Sequence, residues 1–261
     1  DIRTPLNGFR GVTAIAEYYA DDMEKQAECR HKVMQASGFL MELVNNVLNM
    51  NKLESGEMKP ENKPFDLIEL LTETTSIIEM QGQEYAIHFQ MQMGKHKYRH
   101  LIGSPLYLKQ VLQNIGGNAV KYNRAGGAVT FASEDVSYSD GRAVIKFTCA
   151  DTGRGMSREF LVHAFEPFSQ ENTDARTTFT GTGLGLAITK QMVELMEGTI
   201  SLKSEQNVGT TISVTIPFRI DVDYTEPQED AKPADAASLE GVHVLLVEDN
   251  ALNREIAIEI L

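Results

Sequence analysis

Apolar and small residues recur at helical spacing in the first fifty positions. They form two runs in which the intervals alternate between three and four residues. The first run comprises Ile2, Leu6, Phe9, Thr13, Ala16 and Ala20, and the second comprises Val33, Ala36, Leu40, Leu43, Val47 and Met50. The second run ends at Leu53-Glu-Ser-Gly56, with glycine where a helix stops. This pattern predicts a helical hairpin. Because two helices cannot bury both seams alone, we expect a homodimer that forms a four-helix bundle.

A different pattern follows the proline-bearing connector at 59–65, which is a hinge candidate. From there helical periodicity alternates with short strand-like runs. Predicted helices cover 67–82, 108–123, 158–163 and 184–196, and predicted strands cover 87–92, 129–133, 143–150, 199–204 and 210–216. The order predicts an α/β sandwich, a sheet with helices on one face, so the fold class of the whole is α+β.

The predicted helix at 108–123 has two unlike faces. One face is apolar, whereas Asn114, Asn118 and Lys121 stack on the other at i, i+4 and i+7. Two carboxamides and one ammonium offer oxygens to a hard cation and a positive charge to phosphate, which indicates a metal-nucleotide. The alternative is that asparagine is merely tolerated on a solvated face, and the helix alone leaves both readings open.

Glycine-bearing stretches follow at 151–156, 181–186 and 209–210. With the asparagine row, they resemble the motifs of the sensor histidine kinases of two-component signalling, in the family's order. The N box corresponds to 114–121, the G1 box to 151–156, the F box to 165–168 and the G2 box to 181–186. The polar segment between the F and G2 boxes is typical of a mobile lid.

The resemblance implies an ATP-dependent protein-histidine kinase with a GHKL (Bergerat-type) ATP-binding fold that uses ATP and Mg²⁺. In it Asp151 would accept a hydrogen bond from the adenine amino group, Asn118 would bind Mg²⁺, and Lys121 would reach a phosphate. The G2 glycines would turn backbone N–H groups toward the phosphates. The ATP-binding residues implied are Asn114, Asn118, Lys121, Tyr122, Asp151, Gly153, Gly155, Phe168, Gly181, Thr182, Gly183, Leu184, Gly185 and Thr210.

The first residues, Asp1-Ile-Arg-Thr-Pro, resemble the family's H box without its histidine. The resemblance places the phosphoacceptor histidine immediately before Asp1. Asp1 would hydrogen-bond its imidazole, and Thr4 would orient the water when phosphate is removed from a partner. Taken without the boxes downstream, Asp1 and Thr4 also suit an ordinary helix start.

The end of the chain changes character after an acidic, proline-bearing linker. A buried-strand pattern at 242–247 leads directly to Glu248 and Asp249. This resembles the first strand and acidic pair of a response-regulator receiver domain, in which both carboxylates would help to hold Mg²⁺. An ordinary buried strand is the alternative. We therefore expect a hairpin at 1–58, an ATP-binding domain at 59–220, a linker at 221–240 and the truncated start of a receiver at 241–261, the order of a hybrid kinase.

Composition narrows the function classes. The net charge of −13 argues against a nucleic-acid surface, and Cys29 and Cys149 are too far apart for a CxxC pair, so we expect no disulfide or zinc site. His96 and His100 have the i, i+4 spacing of metal ligands but are more typical of surface residues. No apolar run approaches membrane-spanning length and the chain does not begin with methionine. We expect the cytoplasmic portion of a membrane-anchored bacterial sensor, with the sensor and any anchor upstream.

The resemblance also implies partners: a second copy of the hairpin, the receiver in the same chain, and a downstream phosphotransfer protein or response regulator. Two other functions stay open. One is a GHKL-type ATPase of another class, as in type II topoisomerases and mismatch-repair proteins, against which the H-box remnant, the paired seams and the F box argue. The other is a degenerate kinase that serves as a scaffold or phosphatase.

Overall fold

Two helices form the predicted hairpin. The computed structural model describes residues 3–171 and 182–224 of the 261. Helix α1 spans Arg3–Tyr18 and helix α2 spans Met23–Glu54. Asp22 begins α2 by accepting hydrogen bonds from the backbone N–H groups of Glu24 and Lys25 at 3.1 and 3.0 Å. These N–H groups have no partner inside the helix, so the cap defines where the chain reverses.

The hairpin buries little of its apolar surface within one chain. Ala36 and Leu43 of α2 are buried. In contrast, Leu6 and Ile15 of α1 are both 49% exposed, and Met34 of α2 is 72% exposed. Isolated apolar side chains are common on protein surfaces, but here they recur along both helices.

A seven-stranded sheet follows the hairpin. Its strands are β1 (Lys63–Asp66), β2 (His88–Met93), β3 (His100–Gly103), β4 (Ala128–Ser139), β5 (Arg142–Asp151), β6 (Thr199–Glu205) and β7 (Gly209–Ile220). The order is β1-β3-β7-β5-β4-β2. Strand β6 lies outside this order and pairs with the first part of β7, whereas β3 pairs with the end of β7. All pairs are antiparallel except β2 with β4. The turn between β4 and β5 has positive φ at Asp140 and Gly141, which is typical of a tight two-residue hairpin turn.

The helices α3 (Leu67–Glu84), α4 (Pro105–Lys121) and α6 (Gly185–Leu195) cover one face of this sheet, and α5 (Arg158–Leu161) is a single turn. Buried side chains alternate along β4, β5 and β7 with half-buried ones on the other face. The predicted α+β fold is confirmed. The largest fully buried side chains are Leu67, Leu71, Ile78, Leu101, Leu108, Leu112, Ile115, Phe131, Ile145, Phe147, Leu184 and Ile216.

Two short strands were absent from the sequence prediction. Lys63–Asp66, within the predicted hinge, pairs as β1 with β3, and the partners Lys63 and Gly103 begin the register. The connector is therefore tied to the sheet at its C-terminal half. Neither strand has enough residues to show an alternation of its own, so only the pairing identifies them.

The prediction that His96 is a surface residue was wrong. Its side chain is 1% exposed. The ring nitrogens lie 2.5 Å from Asp135 Oδ1 and 2.8 Å from Ser133 Oγ. Asp135 also accepts a hydrogen bond from the backbone N–H of Lys97 at 2.8 Å. These bonds attach the loop between β2 and β3 to β4, which accounts for a buried histidine here.

Among the described residues, no helix is both long and apolar enough to cross a membrane. The predicted linker beyond Tyr224 and the predicted receiver segment lie outside the described residues, as do Asp1 and Gly181.

Candidate functional site

Helix α4 carries the carboxamide row along the edge of the core. Its buried positions include Ile115 and Ala119, which are neighbours of Asn114 and Asn118 in the sequence. Burial of the apolar stripe therefore leaves both carboxamides half-buried at the border of the domain. Helix α4 has Pro105 at its first turn and Lys121 in its last, where a cation interacts favourably with the helix dipole.

A cavity lies against this row, with a volume of about 1040 Å³ that includes space open to solvent. We call it the cavity. It brings together residues from the predicted N, G1 and G2 boxes and from β7. The predicted residues that line it are Asn114, Asn118, Lys121, Tyr122, Asp151, Gly155, Thr182, Gly183, Gly185 and Thr210. Its apolar wall includes Ile115, Cys149, Met156 and Ile212. Large apolar pockets with a few convergent polar groups are typical of ligand sites.

Asp151 is held in the cavity wall by the backbone. It lies at the end of β5, opposite Thr210 in β7. Its Oδ1 accepts hydrogen bonds from the N–H groups of Gly153 at 2.8 Å and Thr210 at 3.3 Å. Burial raises the pKa of Asp151, and these two hydrogen bonds oppose the rise. No described residue donates a hydrogen bond to the other oxygen, Oδ2, so that oxygen is available to a ligand.

The ring of Tyr122 contacts two cationic side chains that line the cavity. The Arg154 guanidinium lies 4.5 Å from the centre of its ring, and the Lys121 ammonium lies 5.6 Å from it. Both distances are within the range of cation–π contacts. Burial raises the pKa of Tyr122; Arg154 lowers it and Glu42 raises it. Arg154 is a cavity residue that the sequence reasoning had not assigned.

The start of α6 is attached to α4 by side chains. Asn114 Nδ2 donates a hydrogen bond to Thr189 Oγ1 at 2.5 Å, and the Thr189 hydroxyl donates to the Gly185 carbonyl at 2.9 Å. A Cβ at Gly185 would lie 2.7 Å from Asn114 Oδ1. The Asn114 carboxamide therefore already has a hydrogen-bond partner in α6, whereas no described residue hydrogen-bonds the carboxamide of Asn118.

The backbone packing of the G1 box requires glycine at two positions, whether or not a ligand binds. Gly155 has φ +62°, and a Cβ there would overlap the carbonyl of Glu205 in β6. A Cβ at Gly153 would lie 2.5 Å from the carbonyl of Tyr122. The G1 turn thus passes so close to two neighbouring backbones that only glycine fits. A role of either glycine next to a base stays a prediction.

Helix α2 also reaches the cavity, which the sequence did not indicate. Glu42 lines it, and Asn46 Nδ2 donates a hydrogen bond to Thr182 Oγ1 at 3.0 Å. Val47 and Met50, predicted for the hairpin seam, pack against the core of the sheet domain. The partners Asn46 and Thr182 are 136 positions apart, so no local pattern could have revealed the contact.

Several predicted residues are not among those lining the cavity. Phe168 is 68% exposed and has φ 62°. Leu184 is 1% exposed in the core, and Gly153 lies behind Asp151. Thr4 belongs to α1. The remaining predicted residues, Asp1, Gly181, Glu248 and Asp249, lie outside the described residues, as does most of the predicted lid.

The described residues contain no group of three or more histidine, cysteine, aspartate or glutamate side chains that could hold a metal ion.

Comparisons with known proteins show what the chain is similar to. Residues 103–220 match the family model described as "Histidine kinase-, DNA gyrase B-, and HSP90-like ATPase". The chain is 33% identical over 257 residues to the sensor histidine kinase AruS of Pseudomonas aeruginosa, covering 98% of this chain and 25% of that protein. It is 30% identical over 261 residues to the autoinducer 2 sensor kinase/phosphatase LuxQ of Vibrio parahaemolyticus, covering 97% of this chain and 30% of that protein.

Among solved structures, full-length ShkA in complex with AMPPNP aligns with a TM-score of 0.62 at 27% identity, covering 84% of this chain and 44% of that one. The chain spans about a quarter to three tenths of the length of these two curated relatives.

Proposed function

The chain belongs to the sensor histidine kinases, and we propose that it binds Mg²⁺-ATP in the cavity and phosphorylates a histidine on the hairpin. The observation that carries the proposal is that Asn118 and Asp151, from distant parts of the sequence, line one cavity with the G2 residues. One nucleotide could then contact all three groups: its metal ion the Asn118 carboxamide, its adenine the Asp151 carboxylate, and its phosphates the start of α6.

In this proposal Asp151 selects adenine. Its Oδ2 accepts a hydrogen bond from the exocyclic amino group, while Oδ1 stays bonded to Gly153 and Thr210. A guanine carbonyl at the same position offers no proton and would face a carboxylate, so GTP is disfavoured. The apolar wall with Ile115 and Ile212 suits the faces of the base.

The residues at the other end of the cavity fit Mg²⁺ bound to a triphosphate. Mg²⁺ prefers oxygen ligands, keeps several waters and takes further ligands from phosphates, so a single carboxamide oxygen of Asn118 suffices. When bound, the ion would neutralise part of the charge on the phosphate oxygens. Lys121 adds a cation, and the N–H groups at the start of α6 add favourable dipoles.

The phosphoacceptor is proposed to be the histidine expected immediately before Asp1. A neutral imidazole nitrogen attacks the γ-phosphorus, the N–P bond forms, and the bond to the bridging oxygen breaks to leave ADP. Asp1 would hold the imidazole through its other nitrogen. In a separate hydrolysis reaction, Thr4 would orient the water molecule that removes phosphate from the partner protein.

We further propose a homodimer through the hairpin. The exposed apolar side chains of α1 and α2, among them Leu6, Ile15 and Met34, support it, because a second copy would cover them in a four-helix bundle. The phosphoryl group would then pass to a receiver aspartate, first in the same polypeptide, where Glu248 and Asp249 would bind Mg²⁺, and onward to a phosphotransfer protein or response regulator. Attachment to a membrane would come from segments outside this sequence.

The test uses Asn118→Ala in the polypeptide extended to include the preceding histidine. We expect autophosphorylation from labelled ATP to be lost and the stimulation of ATP binding by Mg²⁺ to disappear, measured by calorimetry with and without the ion. Gln113→Ala is the matched control, since Gln113 lies on the same helix and does not line the cavity. Unchanged phosphorylation in Asn118→Ala would refute the proposal.

A further inference from the structure

Two polar side chains of helix α2, one helical turn apart, lie at the cavity: Glu42 lines it, and Asn46 contacts Thr182, which also lines it. Asn46 donates its amide hydrogen bond to Thr182 Oγ1 at 3.0 Å. Thr182 is 8% exposed, and the same oxygen accepts a hydrogen bond from the Leu184 N–H at 3.3 Å. Because Leu184 directly precedes α6, Asn46 is connected to the residues that open this helix. The contact ties the hairpin to the phosphate end of the proposed nucleotide site.

Glu42 lies on the same side of α2, because i and i+4 positions face the same way in a helix. It lines the cavity together with Lys121 and Tyr122, and its negative charge raises the pKa of Tyr122. No described cation forms an ion pair with Glu42. The hairpin therefore contributes a carboxylate, which no cation of the described residues neutralises, to the wall that also carries Asn118.

The docked position of α2 is supported from behind by apolar contacts. Val47, Met50 and Leu53 pack against the core of the sheet domain. These contacts and the Asn46 hydrogen bond hold Glu42 over the cavity. If a polyphosphate occupies this end, a carboxylate held over the cavity repels it, and salt screens this repulsion because Glu42 is exposed.

We propose that Glu42 and Asn46 make α2 a charge gate on the nucleotide site: hairpin docking in this arrangement and nucleotide binding oppose each other. This inference rests on the proposed function and names a regulatory contact of the same site. By linkage, an arrangement that weakens nucleotide affinity is itself weakened when nucleotide binds, so ATP loading releases the cavity end of α2. The hairpin would then be free to present its phosphoacceptor.

The first experiment measures ATP affinity in the presence of Mg²⁺ by calorimetry for Glu42→Gln. We expect about fivefold tighter binding than in the wild type at an ionic strength of about 0.01 M, and little difference at about 1 M, where charges are screened beyond about 3 Å. Glu17→Gln is the matched control: it removes the same charge from an exposed position on α1, away from the cavity, and should leave affinity unchanged.

The second experiment tests the tether with Asn46→Ala. Loss of the hydrogen bond to Thr182 should also tighten ATP binding, and the double variant with Glu42→Gln should gain less than the sum of the two, because both act through one contact. Equal affinity of Glu42→Gln and wild type at low salt would overturn the gate. Weaker binding in Glu42→Gln would overturn it too, since it would make Glu42 a ligand of the nucleotide's cation.

These outcomes are separable from failure of the proposed function. If the wild-type chain does not bind ATP, or if Asn118→Ala binds as well as wild type, the proposed function fails and the gate fails with it. If the wild type binds ATP through Asn118 while Glu42→Gln and Asn46→Ala match Glu17→Gln, the gate alone is wrong.

Discussion

Replacement of Asp151 by asparagine separates nucleotide binding from folding. The two backbone N–H groups of Gly153 and Thr210 both point at Oδ1. An asparagine keeps an oxygen there, so both hydrogen bonds are retained. The substitution instead changes the other side-chain atom: Nδ2 replaces Oδ2, to which no described residue donates a hydrogen bond. That group donates protons, as the adenine amino group does, and the proposed hydrogen bond to the base is lost.

The expected loss follows from the type of hydrogen bond. A hydrogen bond to a charged group contributes about 1.5–3 kcal/mol, which corresponds to about a tenfold to 150-fold increase in the Kd for ATP. The stability of the folded protein, in contrast, should stay the same or increase. Because burial raises the folded-state pKa of Asp151 above its unfolded value, the ionised form costs stability at neutral pH. Asp151→Asn should therefore unfold at the same or higher urea concentration at pH 7, with the difference shrinking as pH falls through the raised pKa.

Calorimetric titration with ATP and urea unfolding followed by circular dichroism measure the two quantities on the same samples. An Asp151→Asn protein that binds ATP as tightly as wild type would refute the role of Oδ2. Weaker binding together with a clear loss of stability would mean that the carboxylate holds the G1 turn rather than the base.

Two further predictions follow from the same turn. Gly155→Ala should lower the free energy of unfolding by about 2–4 kcal/mol, because the methyl group overlaps the Glu205 carbonyl in addition to the cost of positive φ. Gly126→Ala, with φ +73° and open space around it, isolates the backbone cost and should lose only about 1–2 kcal/mol in the same urea titration. The ratio of ATP affinities between wild type and Asp151→Asn should approach one as pH is lowered, beginning above the usual aspartate value of about 3.9, because protonation removes the acceptor at a raised pKa. A ratio that stays constant down to that pH would contradict the buried environment of Asp151.

Local periodicity in the sequence was sufficient for much of the fold. The asparagine row of α4, the hairpin and the strand that delivers Asp151 are repeats of 3.6 or 2 residues, and they appear where they were predicted. The order of the motifs also identified the family. These features depend on neighbours within a few positions of one another, so the chain reveals them without its tertiary structure.

Tertiary structure alone decided which side chains meet. Strand β1 exists because β3 pairs with it. The His96 side chain is buried because its ring nitrogens hydrogen-bond with Asp135 and Ser133. Glu42 and Asn46 read as ordinary polar positions of a helix until α2 docks at the cavity. A hydrogen bond or a charge contact acts over a few ångströms, and residues so far apart in sequence come within that distance only through packing of whole elements. The sequence therefore determined the elements with a periodicity of their own and the chemical groups, whereas packing decided which groups share the cavity.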